Sequence, residues 1–274
     1  MEKKKLNLLF GQIFSFLIIQ ILGLLTGLRF FSLPEFRQRI VVPSFSILEF
    51  LLTFAIAVLF VILFLKIFKK RRLPFKLLFY FLIFTTGSLV FLIWLRNSFL
   101  SLIFIILAFI FLHFFPNVLC QNILLAICII GAGLYLGVAL LPFQMIVILI
   151  IIALYDLVMV FGTGTMIKMF KEMMSQRVIL ALTIPENPKN LTTKISQVEL
   201  GKGFIFLGTG DLALPMAFAI SALRISLLSS IFILVGSLLG LLVLTLYFIE
   251  ERRPLPALPP IIIGGILGYL ISLF

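Results

Sequence analysis

Apolar runs of about 20 residues recur along this 274-residue chain, separated by short polar breaks and by one long loop at 167–203. A helix needs roughly that many apolar residues to cross the hydrocarbon core of a bilayer. The strands of a membrane barrel would be about 10 residues long and would alternate apolar with polar positions. The runs here do neither. Inside lipid, only helices and closed barrels satisfy their own backbone hydrogen bonds. The chain therefore reads as an all-α membrane protein. Its composition agrees: 63% of the residues are hydrophobic and the mean hydropathy is +1.31, against about 45–50% apolar residues in a soluble domain.

Nine spans are expected, at Leu6–Leu28, Phe45–Leu65, Phe75–Leu95, Phe99–Phe115, Val118–Leu141, Phe143–Met166, Phe204–Leu223, Ser226–Ile249 and Pro256–Phe274. Few polar residues mark the turns near Pro116 and Pro142, and the two prolines themselves argue for those breaks. The basic amino terminus resembles a secretory signal, but its apolar stretch exceeds the usual 7–15 residues and no small-residue cleavage site follows. It reads as a retained first span. Cytoplasmic loops are enriched in lysine and arginine. With the amino terminus inside, 17 of the 22 basic residues fall on inner segments, and Arg29, Arg37, Arg39, Arg96 and Arg224 fall outside. An even number of spans would weaken that bias. The expectation is a nine-helix bundle with a cytoplasmic amino terminus and an outer carboxyl terminus. Residues 1–166 would carry helices one to six, 167–203 a cytoplasmic loop, and 204–274 helices seven to nine.

The net charge of +12 is assigned to topology and to contact with anionic lipid rather than to nucleic acid. Cys120 and Cys128 lack metal-ligand partners at useful spacing and read as small buried hydrophobes. Trp94 reads as an interfacial anchor, Glu49 as a solvated or snorkelling side chain, and the 32 phenylalanines as lipid-facing and core bulk. Within the long loop, "VILALTI" at Val178–Ile184 is too short to span and is read as an interfacial helix or a strand.

The chain contains two aspartates, Asp156 in "IIALYDLVMV" and Asp211 in "FLGTGDLALP", and both lie in apolar runs. Insertion scales charge about 2.5–3.5 kcal/mol for an aspartate at the centre of a span. A single one could serve as a helix cap; two on consecutive spans point to function. At 1.5 Å per residue, Asp156 lies about 15 Å and Asp211 about 10 Å from the inner ends of their antiparallel spans, so they can face each other. Two carboxylates meeting in low dielectric cannot both ionise and would share a proton. That is the arrangement of an aspartic-protease pair. His113 is the single histidine and lacks the neighbours that a zinc site or a serine triad requires, so no metal or other cofactor is expected. Gly208 and Gly210 leave room near Asp211. Pro215, four residues later, removes the helix partner of the Asp211 carbonyl and loosens that turn.

"LYD" at Leu154–Asp156, "GTGD" at Gly208–Asp211 and "LPALPP" at Leu255–Pro260 occur in that order on the sixth, seventh and ninth expected spans. Together they resemble the YD, GxGD and PAL motifs of the presenilin and signal peptide peptidase family of intramembrane aspartyl proteases. The span layout and the long sixth loop match as well. The resemblance implies that Asp156 and Asp211 are the catalytic pair and that Tyr155 lines the site. Gly208 and Gly210 would shape it, with Thr209 influencing substrate choice. Pro256, Ala257 and Leu258 would support the pair and guide substrate. The inward amino terminus looks like presenilin rather than signal peptide peptidase. The chain lacks the longer tails and loop of animal presenilins and so looks like a compact microbial homologue, in a prokaryotic cell membrane and without obligatory partner subunits.

The expected activity is hydrolysis of peptide bonds within transmembrane segments of membrane proteins by an Asp156/Asp211 pair. Membrane lipids are the expected surroundings, homo-oligomerisation stays open, and nucleic acid is not expected as a partner. Because a helix hides its carbonyls, a substrate turn must unwind and could pair with a strand of the enzyme, at Gly201–Leu207 or near Leu255–Leu258. Two alternatives explain the aspartates differently: a proton- or cation-coupled transporter or leak channel, and a non-catalytic binding or chaperone role.

Overall fold

The computed structural model describes residues 2–34, 46–68, 72–163, 179–199, 203–251 and 256–274. Nine helices lie among them: α1 (Glu2–Ser32), α2 (Ile47–Phe68), α3 (Arg72–Leu95), α4 (Ser98–Phe114), α5 (Val118–Ala139), α6 (Pro142–Leu157), α7 (Thr209–Ala222), α8 (Leu227–Glu251) and α9 (Leu258–Ile271). Five helical stretches are long and apolar enough to cross a membrane: Asn7–Ser32, Lys76–Leu95, Val118–Ala139, Pro142–Phe161 and Leu227–Tyr247. α4, α7 and α9 are apolar but shorter. Outward faces are greasy, with Phe10, Phe14, Phe111, Val243 and Leu267 all exposed. This is how a bundle meets hydrocarbon, and several such helices make this a multi-pass integral membrane protein.

The short turns are set by local chemistry. The Asn97 side chain caps α4 through the N–H groups of Phe99 and Leu100. Asn117 caps α5 through Cys120 N–H, and Pro142 opens α6 where a helix has no use for its missing N–H. Glu49 and Ser46 exchange hydrogen bonds as a capping box at the start of α2. Cys120 is buried, Cys128 is half-buried, and both are free thiols.

Arginines expected only as outer charges also close helix ends. Arg29 donates to the carbonyls of Ile93 and Trp94, and its guanidinium lies 4.8 Å from the centre of the Trp94 ring. Arg224 donates to the carbonyls of Leu140 and Val138. Cations at helix carboxyl ends meet both the orphan carbonyls and the helix dipole. These contacts gather the last turns of α1, α3, α5 and α7 at one end of the bundle. Trp94 itself donates its indole N–H to Thr26.

The departure from an all-α fold is a two-stranded antiparallel sheet. β1 (Ala181–Pro185) pairs with β2 (Phe204–Gly208), with Thr183 opposite Phe206. The seventh expected span thus begins as a strand and turns helical only at Thr209. "VILALTI" resolves as strand rather than helix over Ala181–Ile184; Val178 lies outside the described residues. Gly203 enters β2 at φ +75, a left-handed conformation that suits glycine, and its carbonyl accepts Glu186 N–H. All five β1 residues are buried, although this stretch had been expected as part of a loop. α5 holds β1 from the other side: the Asn122 amide both donates to the Thr183 carbonyl and accepts its N–H, and Gln121 donates to the Ile179 carbonyl. Because Thr183 turns its backbone groups toward Asn122, its neighbours Leu182 and Ile184 carry the bonds to β2.

α7 is the central helix. Almost every residue from Leu212 to Ala222 is buried, as expected of a helix apolar all round. Glycines let its neighbours approach: a Cβ at Gly23 or Gly133 would press on Met216, and one at Gly137 on Ala217 and Ile220. α8 and α9 pack backbone to backbone, because a Cβ at Gly264 would overlap the Gly236 carbonyl and one at Gly268 the Phe232 carbonyl. Gly264→Ala should therefore cost about 1–3 kcal/mol, the usual penalty of overpacking, read as a lower unfolding temperature in detergent. Gly210→Ala, where a Cβ meets nothing within 4 Å, should leave that temperature unchanged.

Candidate active site

Asp156 stands one residue before the end of α6 and is buried. Beyond it the chain widens into a π-helical turn at Val158–Thr163, a distortion that often accompanies function. The sixth span had been expected to run on as helix to Met166; residues 164–166 lie outside the described residues.

The Asp156 carboxylate accepts the backbone N–H of Leu258. Leu258 is the first residue of α9, and Pro259 and Pro260 follow it. Neither proline carries an N–H, so Leu258 supplies the one donor of the first three positions, and it is spent on Asp156. The positive end of the α9 dipole faces the same carboxylate. Pro256 and Leu258 are buried and Ala257 is half-buried as the residue that caps α9.

Asp211 is the third residue of α7, two positions after the strand-to-helix junction at Thr209. Its carboxylate folds back to accept the N–H of Gly208, the residue capping the helix. This is half of a capping box. Gly208 has φ −61 and ψ 141, which any residue can adopt, so its glycine is a matter of space. A Cβ there would stand 2.7 Å from Oδ2 of Asp211. Gly210 differs, because the close approach expected there is absent among the described residues and its α-carbon faces open space.

The fold brings the two aspartates within range of direct charge repulsion. Tyr155 sits beside Asp156, partly exposed and within reach of its charge. Thr209 and Gly210 precede Asp211 at the accessible start of α7. The site can thus hold two carboxyl groups close enough for their charges to interact, each braced by a backbone N–H at a helix start, next to an opening beside Gly210.

A family model described as signal-peptide peptidase, presenilin aspartyl protease matches residues 13–274. The chain belongs to this family. As a member of the presenilin and signal peptide peptidase family it is an intramembrane aspartyl protease, a hydrolase that acts on transmembrane substrates. Two solved structures, both of a presenilin family intramembrane aspartate protease, share its fold. The C222 crystal form is 24% identical with a TM-score of 0.68, over 97% of this chain and 98% of that one. The P2 form is 23% identical with a TM-score of 0.67, over 96% of each chain. None of the curated proteins compared with it matches. The transporter alternative finds no support in these comparisons.

Sequence reasoning did not single out the amides that organise this region. Gln20 of α1 donates to the Leu212 carbonyl, next to Asp211, at 3.0 Å. Gln121 and Asn122 hold β1. The available signal was an amide inside an apolar run, which is as conspicuous in a span as a carboxylate, though less costly. Gly208→Ala should displace the Asp211 carboxylate from its backbone donor and lower turnover at least about tenfold, since small misplacements in a reacting group are expensive. Gly210→Ala should perturb cleavage less in a steady-state assay of the folded protein.

Proposed function

We propose that Asp156 and Asp211 are the catalytic pair of this protease and that they cut within transmembrane segments. The observation that carries this reading is the meeting of the two aspartates, 55 positions apart in the chain, at charge-interaction range. One carboxylate takes a proton from water as the water oxygen attacks the scissile carbonyl. The other, protonated, gives its proton to the carbonyl oxygen. Collapse of the resulting diol then breaks the C–N bond as the leaving nitrogen is protonated. Leu258 N–H and Gly208 N–H fix where each carboxylate stands. Tyr155, Thr209 and Gly210 line the approach to the pair, while Pro256 and Ala257 set the entry to α9.

The nine helices act as nine crossings, with residues 167–203 on the cytoplasmic side between helices six and seven. The lysine and arginine bias supports an inner amino terminus and an outer carboxyl terminus. The setting is a prokaryotic cell membrane with lipid around the bundle, without obligatory partner subunits; the chain acts alone or as a homo-oligomer. An unwound substrate stretch adds as a strand to the hairpin. Asn122 occupies the β1 edge at Thr183, which directs that addition to the β2 side.

Purified protein incubated with a labelled single-span substrate should yield two fragments, mapped by mass. Asp156→Asn or Asp211→Asn should reduce cleavage by at least about 10²–10⁴-fold, the range supplied by general acid–base groups. A transition-state isostere should bind the native protein and not Asp211→Ala. Undiminished cleavage by either aspartate variant removes the dyad, and aspartate-dependent ion flux without cleavage restores the transporter. Replacing 201–206 by a proline-rich segment should abolish cleavage of the helical substrate and leave isostere binding in place; unchanged turnover rules out strand addition.

A further inference from the structure

Pro215 lies inside α7, four residues after Asp211. Proline cannot donate to the Asp211 carbonyl, and its ring pushes that turn open. In a membrane bundle, proline is tolerated where neighbouring groups take up the freed carbonyls. The carbonyl that Pro215 leaves without its helix partner is that of Asp211, and Gln20 of α1 braces the adjoining one: its amide N–H donates to the Leu212 carbonyl at 3.0 Å across 192 positions of sequence.

Gln20 is 1% exposed, and its Oε1 has no hydrogen-bond partner among the described residues. Packing does not call for such a group. Methionine would fill the same space without leaving a buried oxygen unpaired, and an unpaired buried acceptor is a cost that asks for an explanation. α1 and α7 are already seated closely just beyond, where Gly23 faces Met216 and Gly27 faces Ile220. What the amide adds is a bond to the carbonyl next to Asp211, on the turn that Pro215 loosens.

We propose that Gln20 is a positioning residue for Asp211. By tying the Leu212 carbonyl to α1 it fixes the first turns of α7, and with them the direction in which the Asp211 side chain leaves the helix toward Asp156. The inference rests on the reading of Asp211 as half of the catalytic pair. Gln20 itself touches neither substrate nor the reacting atoms.

The test uses the full chain in detergent or liposomes, with a labelled single-span substrate, and compares Gln20→Met, Gln20→Asn, Pro215→Ala, the Gln20→Met/Pro215→Ala double variant and Asp211→Asn. Gln20→Met should lower kcat about tenfold or more, as expected when a reacting group is misplaced, with KM within about twofold and the unfolding temperature within about 2 °C. Gln20→Asn, one methylene too short, should behave the same way. Pro215→Ala restores the N–H that bonds the Asp211 carbonyl and so tightens the same turn from within the helix; in that background the Gln20→Met effect should shrink below about twofold, the non-additivity of coupled groups. If Pro215→Ala is itself inactive, the split between kcat and KM at constant unfolding temperature decides.

Native kcat in Gln20→Met overturns the proposal. So does an equal loss with and without Pro215, or a loss accompanied by unfolding, because Gln20 would then serve packing alone. If Asp211→Asn still cleaves, the catalytic-pair reading falls instead. If Asp211→Asn is inactive while Gln20→Met is fully active, only the role of Gln20 falls.

Discussion

A carboxylate in an apolar bundle needs a donor that cannot drift away, and a backbone N–H at a helix start is such a donor. Both aspartates are held by one. Leu258 N–H, at the head of α9, bonds Asp156, and Gly208 N–H, at the head of α7, bonds Asp211. Helix starts are where N–H groups lack internal partners and where the dipole favours negative charge. The architecture follows from that need. α7 begins only at Thr209 and α9 is opened by prolines, so the two helix starts lie beside the two aspartates.

A late helix start leaves irregular backbone inside the bundle, where it must be satisfied locally. The hairpin is one answer, since β1 and β2 pair with each other. Side chains of other helices close what remains. Asn122 takes the edge at Thr183, Asn7 donates to the Glu186 carbonyl, and Gln20 reaches Leu212. The few amides in the spans are thus concentrated where the helical rule is broken. Elsewhere, glycines rather than polar groups do the joining, as between α8 and α9, because no backbone there needs a partner from outside its own helix.

Much of this was legible in the sequence. Helix positions followed from runs of apolar residues, and the aspartates stood out because a charge in such a run is expensive. Pro116 and Pro142 read as breaks because proline's missing N–H is a local signal. Three things were not legible. One was the choice at β2: Phe204 was placed at the start of a span while Gly201–Leu207 was also a candidate strand, since "FIFLG" is as apolar as the helix that follows and too short to carry a period of its own. Gly210 was grouped with Gly208, though only Gly208 has a side chain folded against it. Arg29 and Arg224 were counted as loop charges, while their real partners are carbonyls 64 to 86 positions away.

The sequence by itself determined that the chain lives in lipid, that it is chiefly helical, and that it keeps two aspartates in apolar segments where a charge is expensive. Each of these depends on which residues occur and how far apart they lie along one segment. Tertiary structure alone decided which backbone donor braces each carboxylate, that a buried hairpin stands beside the pair, and that an amide on the first helix meets the turn loosened by Pro215. Those outcomes depend on contacts between segments remote in the chain, and the period of a single helix carries no information about what its neighbours will offer.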